Sequence, residues 1–125
     1  MNTTRIGRKW ELYAHKNIFP DAKLMTNANR NAPFDLLEGQ ARINAKASRL
    51  FNKKHGRYFE FLIKRNTNCD YFLLVGYLHR RDREPLKVWL VPACLVADRW
   101  RLTLGPNHTG QWKEFERKLN LNRAN

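Results

Sequence analysis

The sequence predicts an α/β fold of the α+β kind, a mixed central sheet flanked by helices, built as one domain over residues 1–125. Three observations predict it. Ile6, Trp10, Tyr13 and Ala14 recur at helical spacing near the start of the chain. Ala41 to Ser48 alternates strictly, with Ile43, Ala45 and Ala47 on one face and Arg42, Asn44, Lys46 and Ser48 on the other. Asp70 to Leu78 is an almost continuous apolar run, as expected of a strand buried on both faces. A chain of 125 residues is long enough for one core and too short for two. Its hydrophobic fraction of 42% and aromatic fraction of 12% are those of a folded chain, not a disordered tail.

Taken in order, Thr3 or Thr4 caps a first helix over Arg5 to Asn17, and Pro20 ends it. Thr26 to Ala32 is polar and reads as a loop. Pro33 to Lys46 reads as two short antiparallel strands joined at Glu38-Gly39-Gln40, where Gly39 takes a positive φ at little cost. A basic loop follows, with Arg49, Lys53, Lys54, His55 and Arg57. Arg57 to Lys64 is a strand with Phe59, Phe61 and Ile63 on one face. After a turn at Asn66-Thr67-Asn68 comes the buried strand, then a charged turn from His79 to Pro85. Lys87 to Val91 returns as a strand, Ala93 to Ala97 is a short helical turn, and Trp100 to Leu104 is a last strand. Gly110 to Leu121 is expected to be a basic C-terminal helix, with Trp112, Phe115 and Leu119 on one side. Trp89 and Trp112 read as core residues. No internal repeat or low-complexity linker is visible, and Asn120 to Asn125 reads as a frayed end.

The net charge of +13, from 24 Lys plus Arg against 11 Asp plus Glu, favours a polyanionic partner. A membrane is the weaker candidate, because no apolar run approaches the ~20 residues needed to span a bilayer. The first residues lack the apolar core of a signal peptide. Cys69 and Cys94 lack metal-ligand spacing and read as free thiols in a reducing cytosol.

The hairpin brings an acid, Asp35, towards a polar pair two residues apart on the neighbouring strand, Asn44 and Lys46. Pro33…Asp35 followed by Asn44-Ala45-Lys46 resembles the active-site pattern of the PD-(D/E)XK nucleases, the restriction-endonuclease-like superfamily. There are two departures. One residue more separates proline from aspartate, and Asn44 stands where the family has Asp or Glu. The later runs Asp-Tyr-Phe-Leu-Leu-Val and Val-Trp-Leu-Val-Pro are similar to those of small bacterial and phage nucleases of this class, including intron-linked ones. In pattern the resemblance covers residues 5 to 119; only Asp35 to Lys46 is specific.

The resemblance implies an αβββαβ core and hydrolysis of DNA phosphodiesters with Mg²⁺ or Mn²⁺. Asp35 would be the main metal ligand, joined by the backbone carbonyl of Ala45 and the amide oxygen of Asn44. Glu11 would contribute from the first helix; its competing role is as a surface partner of Arg8 or His15 at helical spacing. Lys46 would orient or help deprotonate the attacking water, or stabilise phosphate charge. Glu60 is a cross-strand partner for a base, or a stand-in for the missing acid. Arg30 and Asn31, with Asn27 and Asn29, are candidate DNA contacts from the loop before the hairpin. Arg49, Lys53, Lys54 and Arg57 are candidates from the segment after it. A solvated surface is the competing account of both groups.

Asn44 admits three explanations: replacement of an original Asp, a natural site that binds without cutting, or a site for which Glu11, Asp35 and Glu60 suffice. The near-isosteric relation of Asn to Asp favours the first. The leading expectation is a site-specific endonuclease of homing or restriction type, cytoplasmic and encoded by a bacterium or phage. A Holliday-junction resolvase competes within the class, and a non-catalytic nucleic-acid-binding protein competes from outside it. A homodimer or homotetramer on duplex or branched DNA is expected, since one domain this small covers little of a long site.

Overall fold

In the computed structural model, residues 3–25, 34–66, 68–106 and 110–117 are described. Helix α1 spans Thr3–Asn17. The N–H groups of Ile18 and Phe19 both donate to the Ala14 carbonyl, and Asn17 Nδ2 donates to the Tyr13 carbonyl at 3.0 Å, closing the last turn. The strands are β1 (Lys23–Leu24), β2 (Leu36–Glu38), β3 (Ala41–Arg49), β4 (Phe51–Lys53), β5 (Gly56–Leu62), β6 (Tyr71–Tyr77), β7 (Lys87–Pro92), β8 (Arg101–Leu104) and β9 (Glu116–Arg117). Gly39, at φ +62°, makes the β2–β3 turn, and Gly56, at φ +136°, opens β5.

A six-stranded mixed sheet runs in the order β1-β2-β3-β6-β7-β9. Its central pair, β3 and β6, is parallel, with Ile43 opposite Tyr71 and Arg49 opposite Tyr77. The other pairs are antiparallel. A second, three-stranded sheet has the order β4-β5-β8.

The alternation of β3 divides two cores. Ile43, with Leu73, Val75 and Val88, packs against Trp10 and Ala14 of α1, and Ala45 and Ala47 line the same cluster. On the opposite face, Phe72, Leu74, Trp89 and Val91 pack against Phe59, Phe61, Leu102 and Leu104 of the second sheet. The layers are therefore helix, sheet, sheet. The mixed sheet is as expected, and of the helices expected to flank it α1 is the one α-helix among the described residues, the other face being covered by strands. The connection from β3 to its parallel neighbour β6 is likewise made of strands, β4 and β5. Among the described residues no helix is long and apolar enough to cross a membrane.

Two expectations are corrected. The C-terminal helix is, over its described part, a 3-10 turn at Gln111–Phe115 followed by β9. Trp112 is buried at 7% exposure, as its apolar spacing suggests. Glu116 however pairs with Trp89 and its carboxylate meets Lys87 Nζ at 2.9 Å, so sheet pairing overrides helical spacing. The basic loop after β3 is instead a hairpin, with Phe51 opposite Tyr58 and Lys53 opposite Gly56.

Gly76 shows how closely the two sheets meet. A Cβ built there would lie 2.5 Å from Cε1 of Phe59. Phe59 is fully buried, stacked on Phe61 and edge-on to Trp89, so it has no room to move aside. Gly76→Ala is expected to destabilise the fold by about 1–3 kcal/mol, read as a lower urea midpoint; an unchanged midpoint would contradict this packing.

Candidate active site beside the third strand

The site follows from unequal strand lengths. β2 pairs with β3 only from Ala41 to Ile43, and no described strand continues the pairing on that side of β3. The Asp35 N–H donates to the Ile43 carbonyl at 2.9 Å. One strand period on, the Ala45 N–H donates to Asp35 Oδ2 at 2.7 Å. The carboxylate thus takes the place of the next carbonyl in the ladder. In a strand the N–H and C=O of one residue point the same way, so the Ala45 carbonyl opens towards the same side as the Asp35 carboxylate.

Glu11 reaches this carboxylate from α1. Burial pushes the Glu11 carboxyl up to about 7, and the charge of Asp35 and a hydrogen bond with it add to the rise. Arg8, at 3.6 Å, opposes the rise. The Glu11 side chain is only 16% exposed. Two acids are therefore held together against their own repulsion. Asn44, 8% exposed, sits one residue before the anchoring Ala45 amide.

A group of three His, Cys, Asp or Glu side chains able to hold a metal ion is absent among the described residues. The oxygens brought together are two adjoining carboxylates and one backbone carbonyl, with buried Asn44 next in the chain to that carbonyl's residue. Hard divalent cations take such donors, and a cation would relieve the Glu11–Asp35 repulsion. The set fits Mg²⁺ or Mn²⁺, one negative charge short of three carboxylates.

Lys46 lies on the face of β3 turned to the second sheet and lines a cleft of about 740 Å³ with Ser48, Glu60, Leu62, Lys64 and Arg101. Burial lowers the Lys46 ammonium from the ordinary lysine range; Asp35 counters this and the charge of Lys64 adds to it. Ser48 Oγ accepts the Glu60 N–H at 3.0 Å and donates to the Arg49 carbonyl at 2.9 Å, fixing β5 over β3 at the cleft. Glu60 is ion-paired with Arg101 across β5 and β8. That fulfils its cross-strand role. It lines the cleft with Lys46, but its charge is taken.

A second cavity of about 530 Å³ is lined by Lys53, His79 and Arg81, and shares Arg49, Phe51 and Arg80 with the first. The two form one basic groove.

Asp35, Ala45, Glu11 and Lys46 are thus brought together, with Asn44 immediately before Ala45 on β3. Arg49 lines both cavities and Lys53 the second. Lys54 and Arg57 line neither and are exposed on the hairpin. Arg30, Asn31, Asn27 and Asn29 lie outside the described residues. The sequence reading passed over Lys64, Arg80 and Arg101, which enter the groove from distant segments. Their one sequence signal is the excess of positive charge in the segments that carry them. Comparison of this chain with protein-family models, curated proteins and solved structures finds no match.

Proposed function

We propose that the chain is a nuclease-like protein of the PD-(D/E)XK kind, a metal-dependent endodeoxyribonuclease whose second acidic position carries Asn44. One observation carries the reading: Asp35 is held on the Ala45 amide, beside Glu11, with Lys46 on the following residue. The order of helix, three strands, crossover and parallel strand agrees with the αβββαβ core, while a strand-built crossover departs from it. The basic groove supports a nucleic-acid substrate.

Glu11 and Asp35, with the Asn44 amide and the Ala45 carbonyl, would hold Mg²⁺ or Mn²⁺. The ion would supply a bound water of lowered pKa and charge stabilisation at the phosphate. The residues themselves supply position and charge. The Ala45 N–H fixes one oxygen of Asp35, and Glu11 shares a hydrogen bond with the same carboxylate. Lys46 Nζ, partly desolvated, offers a proton donor or point charge where phosphate charge builds up. Arg49 and Arg80 hold the flanking backbone. As a homodimer or homotetramer the protein would act on duplex DNA at a specific site, or on a Holliday junction if selectivity is for branches.

A second reading, a nucleic-acid-binding protein that does not cut, is favoured by the neutral side chain at Asn44.

Nicking of supercoiled plasmid and of a four-way junction with Mg²⁺ tests the proposal, comparing this chain, Asn44→Asp, and Asn44→Asp/Lys46→Ala. Asn44→Asp is expected to cut, and the added Lys46 change to slow it roughly 10²–10³-fold. If no variant cuts either substrate while all bind, the binding-only reading replaces the nuclease.

A further inference from the structure

We propose that Lys64 is a second phosphate-binding residue of this groove, held beside Lys46 by a left-handed backbone so that both ammonium groups meet one stretch of DNA backbone. The inference rests on the nucleic-acid reading of the site, not on cleavage.

The first observation is conformational. Lys64 and Arg65, at φ +57° and +53°, are the non-glycine residues with positive φ among those described. Side chains with a Cβ adopt this region at a cost, and such residues persist where the surroundings fix them. Here the Lys64 N–H donates to the Trp100 carbonyl at 2.8 Å and the Arg65 N–H to the Arg99 carbonyl at 3.0 Å. The Ile63 N–H shares the Trp100 carbonyl, at 2.9 Å. The turn is over-determined by the strand entering β8.

The second observation is placement. β5 ends at Leu62. Ile63 is fully buried, and Lys64 lines the cleft with Lys46. Like charges brought together by a strained turn cost stability unless an anion lies between them. Asp35 offsets part of the charge at Lys46, and the one acid of the cleft, Glu60, is engaged by Arg101. The cleft has room for an anion from outside that meets both ammonium groups. Arg49 and Arg80 continue the positive lining away from the lysines, so a repeating anion, the sugar-phosphate backbone, fits better than a single ion.

The test is binding of fluorescein-labelled random-sequence duplex DNA, in EDTA so that no cutting intervenes, over a salt series. Lys64→Gly and Lys64→Ala are compared with Lys16→Ala. Lys16 removes the same charge from exposed helix about 15 Å along α1 from the groove residue Ile6. Lys64→Gly accepts the left-handed turn without a Cβ, so its melting temperature should equal or exceed that of the unchanged protein. Both Lys64 variants are expected to bind several-fold more weakly, with the salt slope reduced by about 1; Lys16→Ala should keep the original slope. Equal affinity and slope for the Lys64 variants and the unchanged protein would overturn the proposal. So would losses matched by Lys16→Ala, or no duplex binding by the unchanged protein. Loss of binding at Lys64, together with no cutting by Asn44→Asp, would keep this proposal and remove the nuclease reading alone.

Discussion

Asn44→Asp is expected to lower the melting temperature of the protein in EDTA by several degrees, and Mg²⁺ is expected to restore it. Burial, and after it the charge of Asp35, already raises the Glu11 carboxyl. Residue 44 adjoins the amide that anchors Asp35. A third carboxylate there adds charge to a half-buried cluster in which Arg8 lies 3.6 Å from Glu11 and Lys46 acts on Asp35. Repulsion of this kind costs about 1–2 kcal/mol. A divalent ion reverses the sign, because it binds the folded chain and not the unfolded one. At 100-fold over its dissociation constant it contributes about 2.7 kcal/mol. Scanning calorimetry with and without Mg²⁺ measures both halves. The unchanged chain should respond to Mg²⁺ far less, since Asn44 offers an oxygen without the charge. Equal Mg²⁺ responses in the two proteins would place the ion elsewhere and remove the metal-site reading of this cluster.

Glu11→Gln is expected to stabilise the protein above neutral pH and to leave it unchanged in acid. Folding raises the Glu11 carboxyl from 4.5 to about 7. Between those two values the folded chain keeps a proton that the unfolded chain has released. Stability therefore falls as pH rises through this window, and the whole cost is present above the folded value. Each pK unit corresponds to about 1.4 kcal/mol, and partial solvation of the pair reduces the total to about 1–3 kcal/mol. Gln keeps the shape and removes the charge. Urea midpoints near pH 8 should be higher for Glu11→Gln, and the curves should converge near pH 4. A constant offset at every pH would mean that packing, not charge, distinguishes the two side chains. The same substitution should weaken Mg²⁺ binding in the Asn44→Asp background. A gain in stability coupled to a loss of ligand marks a residue kept for binding.

Much of the arrangement was legible in the chain. Strict alternation from Ala41 to Ser48 separates the face against α1 from the face against the second sheet, and the structure keeps that division. Asp35, Asn44 and Lys46 lie within one hairpin, so local geometry alone brings them together. Lys64, Arg80 and Arg101 are different. They reach the groove through pairings such as Phe61 with Leu102, which no local pattern encodes. The alternation of Phe59, Phe61 and Ile63 announces a strand but not which sheet it joins. Trp112, Phe115 and Leu119 have helical spacing, yet the backbone groups of Glu116 are claimed by the edge of β7. Burial of Trp112 is satisfied by either conformation, so apolar spacing there does not decide between them.

The strand-built crossover sets an order of events in folding. β3 cannot meet β6 by closing a short loop: Ile43 must find Tyr71, and Phe61 must find Leu102. Pairings of that span close slowly, whereas the β2–β3 and β4–β5 hairpins close early. The pocket of carboxylates needs the hairpin and α1, which is itself seated on β6 and β7. The groove needs both sheets docked, with Phe59 seated over Gly76. The carboxylate cluster and the basic groove therefore differ in how much of the fold each needs: the groove is complete only when both sheets are docked.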